Sequence, residues 1–478
     1  MSASGPFLIA IDNGSQSTKV LIVDVNGQVV SEARQPLRPT ESPRPGVVEY
    51  PDDDLWESIG VASRAALAAF SGDVRDIVGV GLCTIRFCRA LLRRDGTLAS
   101  PVMSWMDERV SRPYEHTDPE VAYVTTSSGY ITHRLTGEFT DTAANYQGLW
   151  PISTDRWEWR RDDEDFAAYG IDRPMLFDLV MPGERLGSVT SEAARHTSIP
   201  EGLPVFATAN DKAVEALGSG LGRSDTVLVS LGTYIASMTT GTRNVTDAVN
   251  FWSNFASEPY QYLYESVGVR RGMWTVSWWR DLLGAEVADD ARSRGLSADQ
   301  YLDARATQVP PGSDGLMVVL DWLAPTEAPF KKGSILGFDV RHGCFHVHRA
   351  ILEGIALTMH RHVTAMGDEL GTHFSRLVLS GGGAQSDLFS QIFADVFALP
   401  VERTTAPSAA GLGSAICAAV GAGLYESWES AVAAMVSWRD PVTPNLESRN
   451  LYRRMAPIYD AIPERTDPIY ESSYEVFG

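Results

Sequence analysis

The sequence predicts an α/β protein of two related domains that hold a ligand between them. The chain has 478 residues, more than one hydrophobic core usually supports. Strand-like apolar runs alternate with segments of helical periodicity along its length. An apolar strand, a turn of glycine and hydroxyl residues and a second strand occur at 7–23 and again at 226–238. This repetition suggests duplicated domains.

Composition and charge argue against several classes of protein. Apolar residues make up 44% and charged residues 21% of the chain, as in ordinary globular proteins. The net charge of −21 argues against a nucleic-acid or anionic-membrane surface, although it permits a local phosphate site. The four cysteines form no CxxC pair, residues 1–12 do not resemble a signal peptide, and no apolar run is long enough to span a bilayer. We therefore expect a cytoplasmic protein with neither nucleic-acid nor membrane partners.

The first repeat combines a buried strand with a polar turn. The apolar run at 7–11 is followed by DNGSQSTK at 12–19, and apolar residues then resume. Gly14 would let backbone N–H groups approach a ligand, and with the hydroxyls they could cradle phosphate oxygens. Asp12, at the end of the strand, could hold Mg²⁺. An ordinary hairpin with a polar turn is the alternative, and this stretch alone does not decide between them.

The remaining elements fall on either side of a predicted boundary near residues 240–250. In the first half we predict strands at 27–30, 77–82, 102–105 and 203–208, helices at 52–70 and 213–217, and a hairpin turn at 94–96. In the second half we predict helices at 274–283, 347–366, 388–397 and 411–423, a strand at 376–380 and a loop at 323–338. The predicted domains are 1–243 and 244–440, with a C-terminal extension at 441–478 that packs on the body.

Asp211 is the most prominent candidate for catalysis. It follows the predicted strand at 203–208, and ligand crevices of α/β proteins form at such strand ends. Its carboxylate could accept the proton of a substrate hydroxyl that attacks a phosphoryl group. The alternative is that Asp211 caps the following helix, and the residues alone leave both interpretations open.

A second candidate site is the stretch WMDER at 105–109. In an extended backbone Trp105, Asp107 and Arg109 would point to one side. An indole ring could pack on the C–H face of a polyol while the two charged groups bind its hydroxyls. A surface salt bridge beside a core tryptophan is the alternative.

Other nucleotide and metal motifs do not occur in the sequence. There is no GxxxxGK[ST] loop and no protein-kinase motif set. The histidines of the second half form no HExxH pair, and Cys83 and Cys88 lack a matching second pair, so we expect no zinc site. The predicted strand at 376–380 runs into glycines 381–383, on which a planar ring or a phosphate could lie.

Taken in order, these motifs resemble the FGGY family of carbohydrate kinases over nearly the whole chain. Each motif is weakly specific, whereas seven in the family's order are strongly specific. The segments are DNGSQSTK at 12–19, WMDER at 105–109, LTGE at 135–138, ANDKAVEALGSG at 209–220, SLGT at 230–233, GSILGFDVRHGCFHVHRAILE at 333–353 and SGGGAQSDLFSQIFADVFALPV at 380–401.

The resemblance implies two ribonuclease-H-like domains of the actin, hexokinase and Hsp70 type, with a cleft between them. It implies transfer of the γ-phosphoryl group of ATP, with Mg²⁺, to a hydroxyl of a sugar or polyol. Asp211 becomes the expected general base and Asp12 the expected Mg²⁺ carboxylate. The other expected nucleotide contacts are Gly14, Ser15, Thr18, Lys19, Gly232, Thr233, Gly382, Gly383 and Ala384. The expected substrate contacts are Thr84, Arg86, Trp105, Asp107, Arg109 and Asn210. A homodimer is one expected assembly.

Two departures from the family pattern bear on the substrate. The stretch at 83–87 stands where ketose kinases usually have a stretch of the Gln-Met-His type. Its Arg86 resembles an arginine in this region of the autoinducer-2 kinase branch. The segment at 110–134 is shorter than is usual in the family. We expect a ketose, with a pentulose such as xylulose or ribulose favoured, or a related polyol. The alternatives are a deoxyketose or autoinducer-2-like substrate, a non-catalytic sugar or nucleotide sensor, and an ATPase that drives conformational change.

Overall fold

The computed structural model describes residues 5–325 and 328–477. Its strands are β1 (Phe7–Asn13), β2 (Ser17–Asp24), β3 (Val29–Pro36), β4 (Ile77–Thr84), β5 (Ala90–Leu92), β6 (Tyr123–Thr125), β7 (Thr140–Thr142), β8 (Ile152–Ser153), β9 (Glu158–Trp159), β10 (Asp178–Val180), β11 (Arg185–Ser188), β12 (Pro204–Ala207), β13 (Thr226–Leu231), β14 (Ile235–Gly241), β15 (Phe251–Phe255), β16 (Tyr262–Ser266), β17 (Met317–Val319), β18 (Ser334–Leu336), β19 (Arg376–Ser380) and β20 (Val401–Arg403).

Its helices are α1 (Asp54–Ala69), α2 (Ser127–Thr136), α3 (Asp163–Tyr169), α4 (Ser191–Thr197), α5 (Asp211–Gly218), α6 (Gly272–Leu282), α7 (Gly284–Ser293), α8 (Ala298–Ala306), α9 (Cys344–Leu370), α10 (Asp387–Phe397), α11 (Ala409–Gly421), α12 (Trp428–Met435), α13 (Leu446–Asp460) and α14 (Ile462–Phe477). None of them, within the described ranges, is long and apolar enough to cross a membrane. Three parts of the sequence predictions lie outside the described residues: the first four residues, 326–327 of the predicted loop, and residue 478 of the predicted extension.

Two six-stranded sheets share the topology of five strands, and each has one further strand, β11 or β15, at opposite edges. Their strand orders are β11-β12-β4-β1-β2-β3 and β15-β16-β14-β13-β19-β20. In the first sheet β1 pairs antiparallel with β2 and parallel with β4. In the second sheet β13 pairs antiparallel with β14 and parallel with β19. The predicted α/β class and the predicted duplication are both confirmed.

A single hydrophobic core joins the two sheets. Along β1, Phe7 and Ile9 face the outer core under α1, α2 and α4. Leu8 and Ala10 point the other way, into a core that contains residues of α5 and α11. Leu228 of the second sheet lies in this same inner core, while α9 and α10 cover that sheet's opposite face. Helices α5 and α11 are therefore sandwiched between the two sheets.

Glycines allow α5 and α11 to lie in close contact. A Cβ atom on Gly413 would come within 1.9 Å of the carbonyl oxygen of Val214. A Cβ atom on Gly218 would come within 2.0 Å of the carbonyl oxygen of Ala409. The predicted helix at 411–423 is confirmed, since α11 spans most of that range.

The structure differs from three predictions: one domain boundary, one strand and one loop. Strands β13 and β14 belong to the second sheet, so we propose that the second domain begins at or before Thr226 rather than at residue 244. The segment at 102–105 is not a strand, because only Met103 forms isolated bridges before the chain turns. The predicted loop at 323–338 contains β18, which pairs with β17.

The C-terminal extension is helical and packs through its first helix. Tyr452 and Tyr459 of α13 are buried in a small core with Val319 and Leu357. Tyr459 Oη donates a hydrogen bond to the carbonyl oxygen of Val318 (2.8 Å). Helix α14 lies largely on the surface.

The close contact between α5 and α11 generates a stability prediction. We expect Gly413→Ala to lower the free energy of unfolding by about 1–3 kcal/mol, because the added methyl group overpacks the contact. In an exposed helix the same change would stabilise the protein by up to about 1 kcal/mol. The sign of the change in the free energy of unfolding therefore shows whether the contact is closely packed. Urea denaturation measures the difference. Gly222→Ala is the control, because a Cβ atom there meets nothing within 4 Å; equal effects of the two changes would contradict the prediction.

Candidate active site

The two repeated turns and the start of α5 meet at one end of the shared core. Asp211 is the first residue of α5. One turn further along this helix, Glu215 accepts hydrogen bonds from Ser230 Oγ (2.7 Å) and Ser380 Oγ. Ser230 lies near the end of β13 and Ser380 ends β19. Glu215 therefore connects the helix that carries the candidate base to the ends of β13 and β19. The second phosphate turn (232–234) follows β13, and the glycine-rich turn (381–383) follows β19.

A partly buried lysine completes this network. Lys212 Nζ lies 2.8 Å from Glu215 Oε2 and donates a hydrogen bond to Ser230 Oγ (2.8 Å). Burial alone would raise the pKa of Glu215, but Lys212 and the two serine hydroxyls lower it below its usual value. Burial lowers the pKa of Lys212, but Glu215 and Asp211 together more than offset this and raise it. Sequence reasoning missed both residues, and their i, i+3 spacing on one helix was the available signal.

Asp12 provides a carboxylate at the end of β1. It is 7% exposed, its Oδ2 lies 3.6 Å from Lys19 Nζ, and it accepts a hydrogen bond from Ser408 Oγ (3.3 Å). Burial raises the pKa of Asp12, and Lys19 opposes this shift. A single carboxylate beside a phosphate site fits Mg²⁺, whose remaining ligands are then phosphate oxygens and water. Among the described residues, no group of three or more His, Cys, Asp or Glu side chains could hold a metal ion.

The first turn presents only some of its predicted phosphate contacts to the cleft. Ser15 is exposed, and Gly14 and Lys19 are half-buried. Thr18 is fully buried, and its Oγ1 is hydrogen-bonded to Asn13 Nδ2 (2.6 Å) and to Ser58 Oγ (2.6 Å). The hydroxyl of Thr18 is thus bound within the core beneath the turn, and its contact with phosphate stays a prediction.

A cavity of about 540 Å³ unites the second turn with the glycine-rich turn. Gly232 and Thr233 line one side of it, and Gly382 and Gly383 line another. Ala384 is buried next to it. Sequence reasoning missed several other lining residues, which come from α6, α8 and α9: Met273, Val276, Ser277, Gln300, Asp303, His348 and Leu352. The volume lies within the range of small-molecule sites.

Asp211 is not the cap of its helix. The cap is Asn210, whose Oδ1 accepts hydrogen bonds from the backbone N–H groups of Lys212 and Ala213 (both 3.2 Å). Asp211 Oδ1 lies 3.9 Å from Arg86 Nε and has no hydrogen-bond partner among the described residues. Burial raises the pKa of Asp211, while Arg86 and Lys212 oppose the shift. The carboxylate is thus left available for chemistry.

Two predicted substrate contacts are buried and hydrogen-bonded within the protein. Asn210 is 1% exposed and also donates to the carbonyl oxygen of Ala144 (3.3 Å). Thr84 is 3% exposed, and its hydroxyl is hydrogen-bonded to that of Ser127 (2.9 Å). Both polar groups thus have partners within the protein, and their contact with a substrate stays a prediction.

The predicted one-sided arrangement of Trp105, Asp107 and Arg109 is wrong. The chain turns at Trp105 and enters a 3₁₀ helix at 108–111, so the alternation of an extended strand does not apply. Trp105 is 47% exposed and Asp107 is 1% exposed. Asp107 accepts hydrogen bonds from the side chain of Arg109 (2.7 and 2.9 Å) and from the backbone N–H of Val48 (2.8 Å). These charged groups bind each other, while the indole ring faces outward.

Comparison with known proteins identifies the family. The family model for the N-terminal domain of FGGY carbohydrate kinases matches residues 7–119, and that for the C-terminal domain matches residues 227–422. The chain is 48% identical over 474 residues to the uncharacterized sugar kinase YgcE of Escherichia coli K12, covering 99% of this chain and 96% of that protein. The chain belongs to the FGGY family of carbohydrate kinases. It is therefore a phosphotransferase with an alcohol group as acceptor, and kinases of this family use ATP, generally with Mg²⁺.

Two further relatives of this FGGY kinase have named activities. Autoinducer-2 kinase of Klebsiella pneumoniae is 27% identical over 493 residues, which cover 94% of this chain and 92% of that protein. The crystal structure of xylulose kinase from Rhodospirillum rubrum superimposes with a TM-score of 0.82 at 25% identity, covering 97% of this chain and all of that one. The expected two-domain fold of the actin and hexokinase type is confirmed.

The Asp107–Arg109 pair generates a prediction on pH. Burial acts to raise the pKa of Asp107, but hydrogen bonds from Arg109 and Val48 outweigh it and lower the pKa. The ionised carboxylate therefore stabilises the folded state above its unfolded pKa of about 3.9, and this contribution is lost as the pH falls through the lower folded pKa. We expect Asp107→Asn to lower the free energy of unfolding by about 1–3 kcal/mol at neutral pH.

Urea denaturation over a range of pH checks this expectation. The difference between Asp107→Asn and the unmodified protein should shrink below about pH 4. The control is Glu108→Gln, since Glu108 forms an exposed pair with Arg112 and such pairs contribute about 0–1 kcal/mol. A difference that stays constant across the pH range would contradict the assignment.

Proposed function

We propose that this FGGY kinase transfers the γ-phosphoryl group of ATP to a hydroxyl of a neutral ketose or related polyol, with Asp211 as the general base. The observation that carries the proposal is the position of Asp211 at the start of α5, near Asp12 of the first turn and near Glu215, which is bonded to Ser230 before the second turn. Its neighbour Asn210 caps the helix, so the Asp211 carboxylate has no competing structural role.

In the proposed reaction Asp211 accepts the proton of the acceptor hydroxyl. The hydroxyl oxygen forms a bond to the γ-phosphorus, the bond from that phosphorus to the β–γ bridging oxygen breaks, and ADP leaves. Asp12 would hold Mg²⁺, which when bound neutralises negative charge on the phosphates. Lys19 and the backbone N–H groups near Gly14 and Gly232 would bind phosphate oxygens. The pKa of Asp211 is raised toward neutral pH. A higher pKa makes the carboxylate a better acceptor for the proton of the hydroxyl.

The nucleoside of ATP would occupy the 540 Å³ cavity. Its wall contains Gly382, where a Cβ atom would meet nothing within 4 Å, so the backbone there presents an open surface to a planar ring. The same cavity includes Gly232 and Thr233. A nucleotide bound there would place its base on the glycine-rich turn and its phosphates at the second turn.

Charge on the acceptor side favours a neutral substrate. Arg86 is paired with Glu265 (2.7 Å) and lies beside Asp211, so these three groups carry one excess negative charge. An acceptor with a carboxylate or phosphate would be repelled. A pentulose such as xylulose or ribulose is the favoured acceptor, supported by the similarity to a xylulose kinase structure. The second candidate is an autoinducer-2-like compound, supported by the 27% identical autoinducer-2 kinase.

A coupled assay of ADP release tests the reaction and the acceptor class. We expect stimulation by one or more of D-xylulose, D-ribulose, deoxyketoses, polyols and autoinducer-2, and none by gluconate. Asp211→Asn should lower kcat for the active acceptor by about 100- to 10,000-fold, the usual contribution of a general base. Asp95→Asn, in an exposed hairpin turn, is the matched control. ATP binding without stimulation by any of these compounds would favour a sensor, and full activity of Asp211→Asn would refute the assigned base.

Substitution of the glycine-rich turn tests the nucleotide site separately. We expect Gly382→Val to raise the dissociation constant for ADP by about tenfold or more, because the side chain would enter the cavity and a clash of about 1–3 kcal/mol is typical. Calorimetric titration with ADP measures it. The fold should be unaffected, since the protein leaves space around a Cβ atom there. Gly222→Val, in a similarly open position, should bind ADP normally; unchanged binding by Gly382→Val would place the nucleoside elsewhere.

A further inference from the structure

We propose that Arg86 and Glu265 are positioning residues for the base: Glu265 of the second domain fixes Arg86 of the first, and Arg86 holds one oxygen of Asp211 so that the other faces the acceptor. The inference rests on the proposed role of Asp211 as general base. It assigns a catalytic consequence to an ion pair that crosses the boundary between the domains.

The ion pair is bidentate and buried. Arg86 Nη1 donates to Glu265 Oε2 (2.7 Å), and Nη2 donates to Glu265 Oε1 (2.8 Å). The side chains are 12% and 1% exposed. A bidentate guanidinium–carboxylate pair fixes orientation as well as distance, and burial protects it from screening by solvent. Arg86 follows β4 in the first domain, whereas Glu265 lies on β16 in the second sheet.

Two aromatic rings restrict the guanidinium further. Its Cζ atom lies 5.1 Å from the ring centroid of Phe87 and 5.1 Å from that of Trp252, both within the range of cation–π attraction. Trp252 is paired with Glu265 across β15 and β16, so both side chains lie on one face of that sheet. The second domain therefore holds Arg86 through two neighbouring side chains.

This placement leaves the Nε donor of Arg86 directed at the base. Glu265 binds the two terminal nitrogens, and Nε lies 3.9 Å from Asp211 Oδ1, slightly beyond hydrogen-bond distance. Oδ1 is buried and lacks a hydrogen-bond partner among the described residues, while the Asp211 side chain as a whole is 29% exposed. The exposure of the side chain therefore comes from atoms other than Oδ1, which leaves Oδ2 as the oxygen available to an acceptor. A closer approach by Arg86 on substrate binding would fix Oδ1 and aim Oδ2 at the acceptor hydroxyl.

The other charged neighbours of Asp211 do not take this role. Lys212 is bound to Glu215 and Ser230. Glu215 and Asp12 are themselves anionic and raise the pKa of Asp211. Arg86 is therefore the cation that would orient the base. Because Glu265 of the second domain holds Arg86, this orientation depends on the correct placement of both domains.

Glu265→Gln is the central variant, because it keeps the shape of the side chain and removes the charge that holds Arg86. With saturating ATP and the most active compound of the acceptor panel, we expect kcat to fall by about 10- to 100-fold, as small misplacements of catalytic groups do. The KM for ATP should change little, since the nucleotide cavity does not contain these residues. Arg86→Lys, which keeps the charge but not the bidentate geometry, should retain part of the activity lost in Arg86→Gln.

A double variant shows whether the effect passes through the base. If Glu265 acts through Asp211, the pair Asp211→Asn with Glu265→Gln should be no slower than Asp211→Asn alone. An additional fall in kcat would overturn the proposal, as would normal kcat of Glu265→Gln. Thermal unfolding without ligands provides a readout independent of kinase activity. There the Tm shifts of Glu265→Gln and Asp211→Asn should be non-additive, and additive shifts would overturn the proposal even if kinase activity were absent.

Glu353→Gln is the matched control for loss of a buried carboxylate. Glu353 is buried in the second domain, where its carboxylate is paired with Arg349 (2.8 Å) and accepts hydrogen bonds from Ser313 and Tyr452 rather than from any group near Asp211. We expect it to lower Tm but to leave kcat unchanged. If Glu353→Gln and Glu265→Gln lost kcat equally, the loss in Glu265→Gln would be explained by general destabilisation of the protein. That result would overturn the proposal.

Discussion

The active site depends on one constraint, the sandwiching of α5 between two sheets. Helix α5 begins with Asp211, and its buried face shares one apolar core with strands of both sheets. Neither sheet can shift relative to the other without disturbing that core, because protein interiors are close-packed. The base and the two phosphate turns are thereby held at the same end of the core. Catalytic geometry in this kinase is consequently a product of apolar packing.

Polar groups then specify the details at the end of that core. Glu215 joins α5 to Ser230 and Ser380, and Arg86 joins the first domain to Glu265. Buried charges add little net stability when they are paired, but breaking such a pair is costly. A displacement that separated Glu215 from the two serines, or Arg86 from Glu265, would leave a buried charge without its partner and is therefore disfavoured.

Much of the fold could be predicted from the sequence, because the central strands have patterns that few other structures share. The run at 7–11 is apolar on both faces, as a strand between two cores requires, and the repeat at 226–238 revealed the duplication. The site was predicted less well. Thr18, Thr84 and Asn210 carry the expected polar groups, yet each is hydrogen-bonded inside the protein. Periodicity cannot distinguish such residues from ligand contacts, and it cannot reveal a pairing such as Arg86 with Glu265, which are 179 residues apart.

The position of α11 has a consequence for biosynthesis. This helix comes from residues 409–421, yet it covers the inner face of the sheet that begins at residue 7, and Ser408 reaches Asp12 across 396 residues of chain. The first sheet leaves the ribosome long before the helix that shields it. Its inner apolar face therefore lacks this cover until residues 409–421 have been made, and contacts so distant in sequence form slowly. The architecture that aligns the catalytic groups thus makes the nascent chain prone to aggregation.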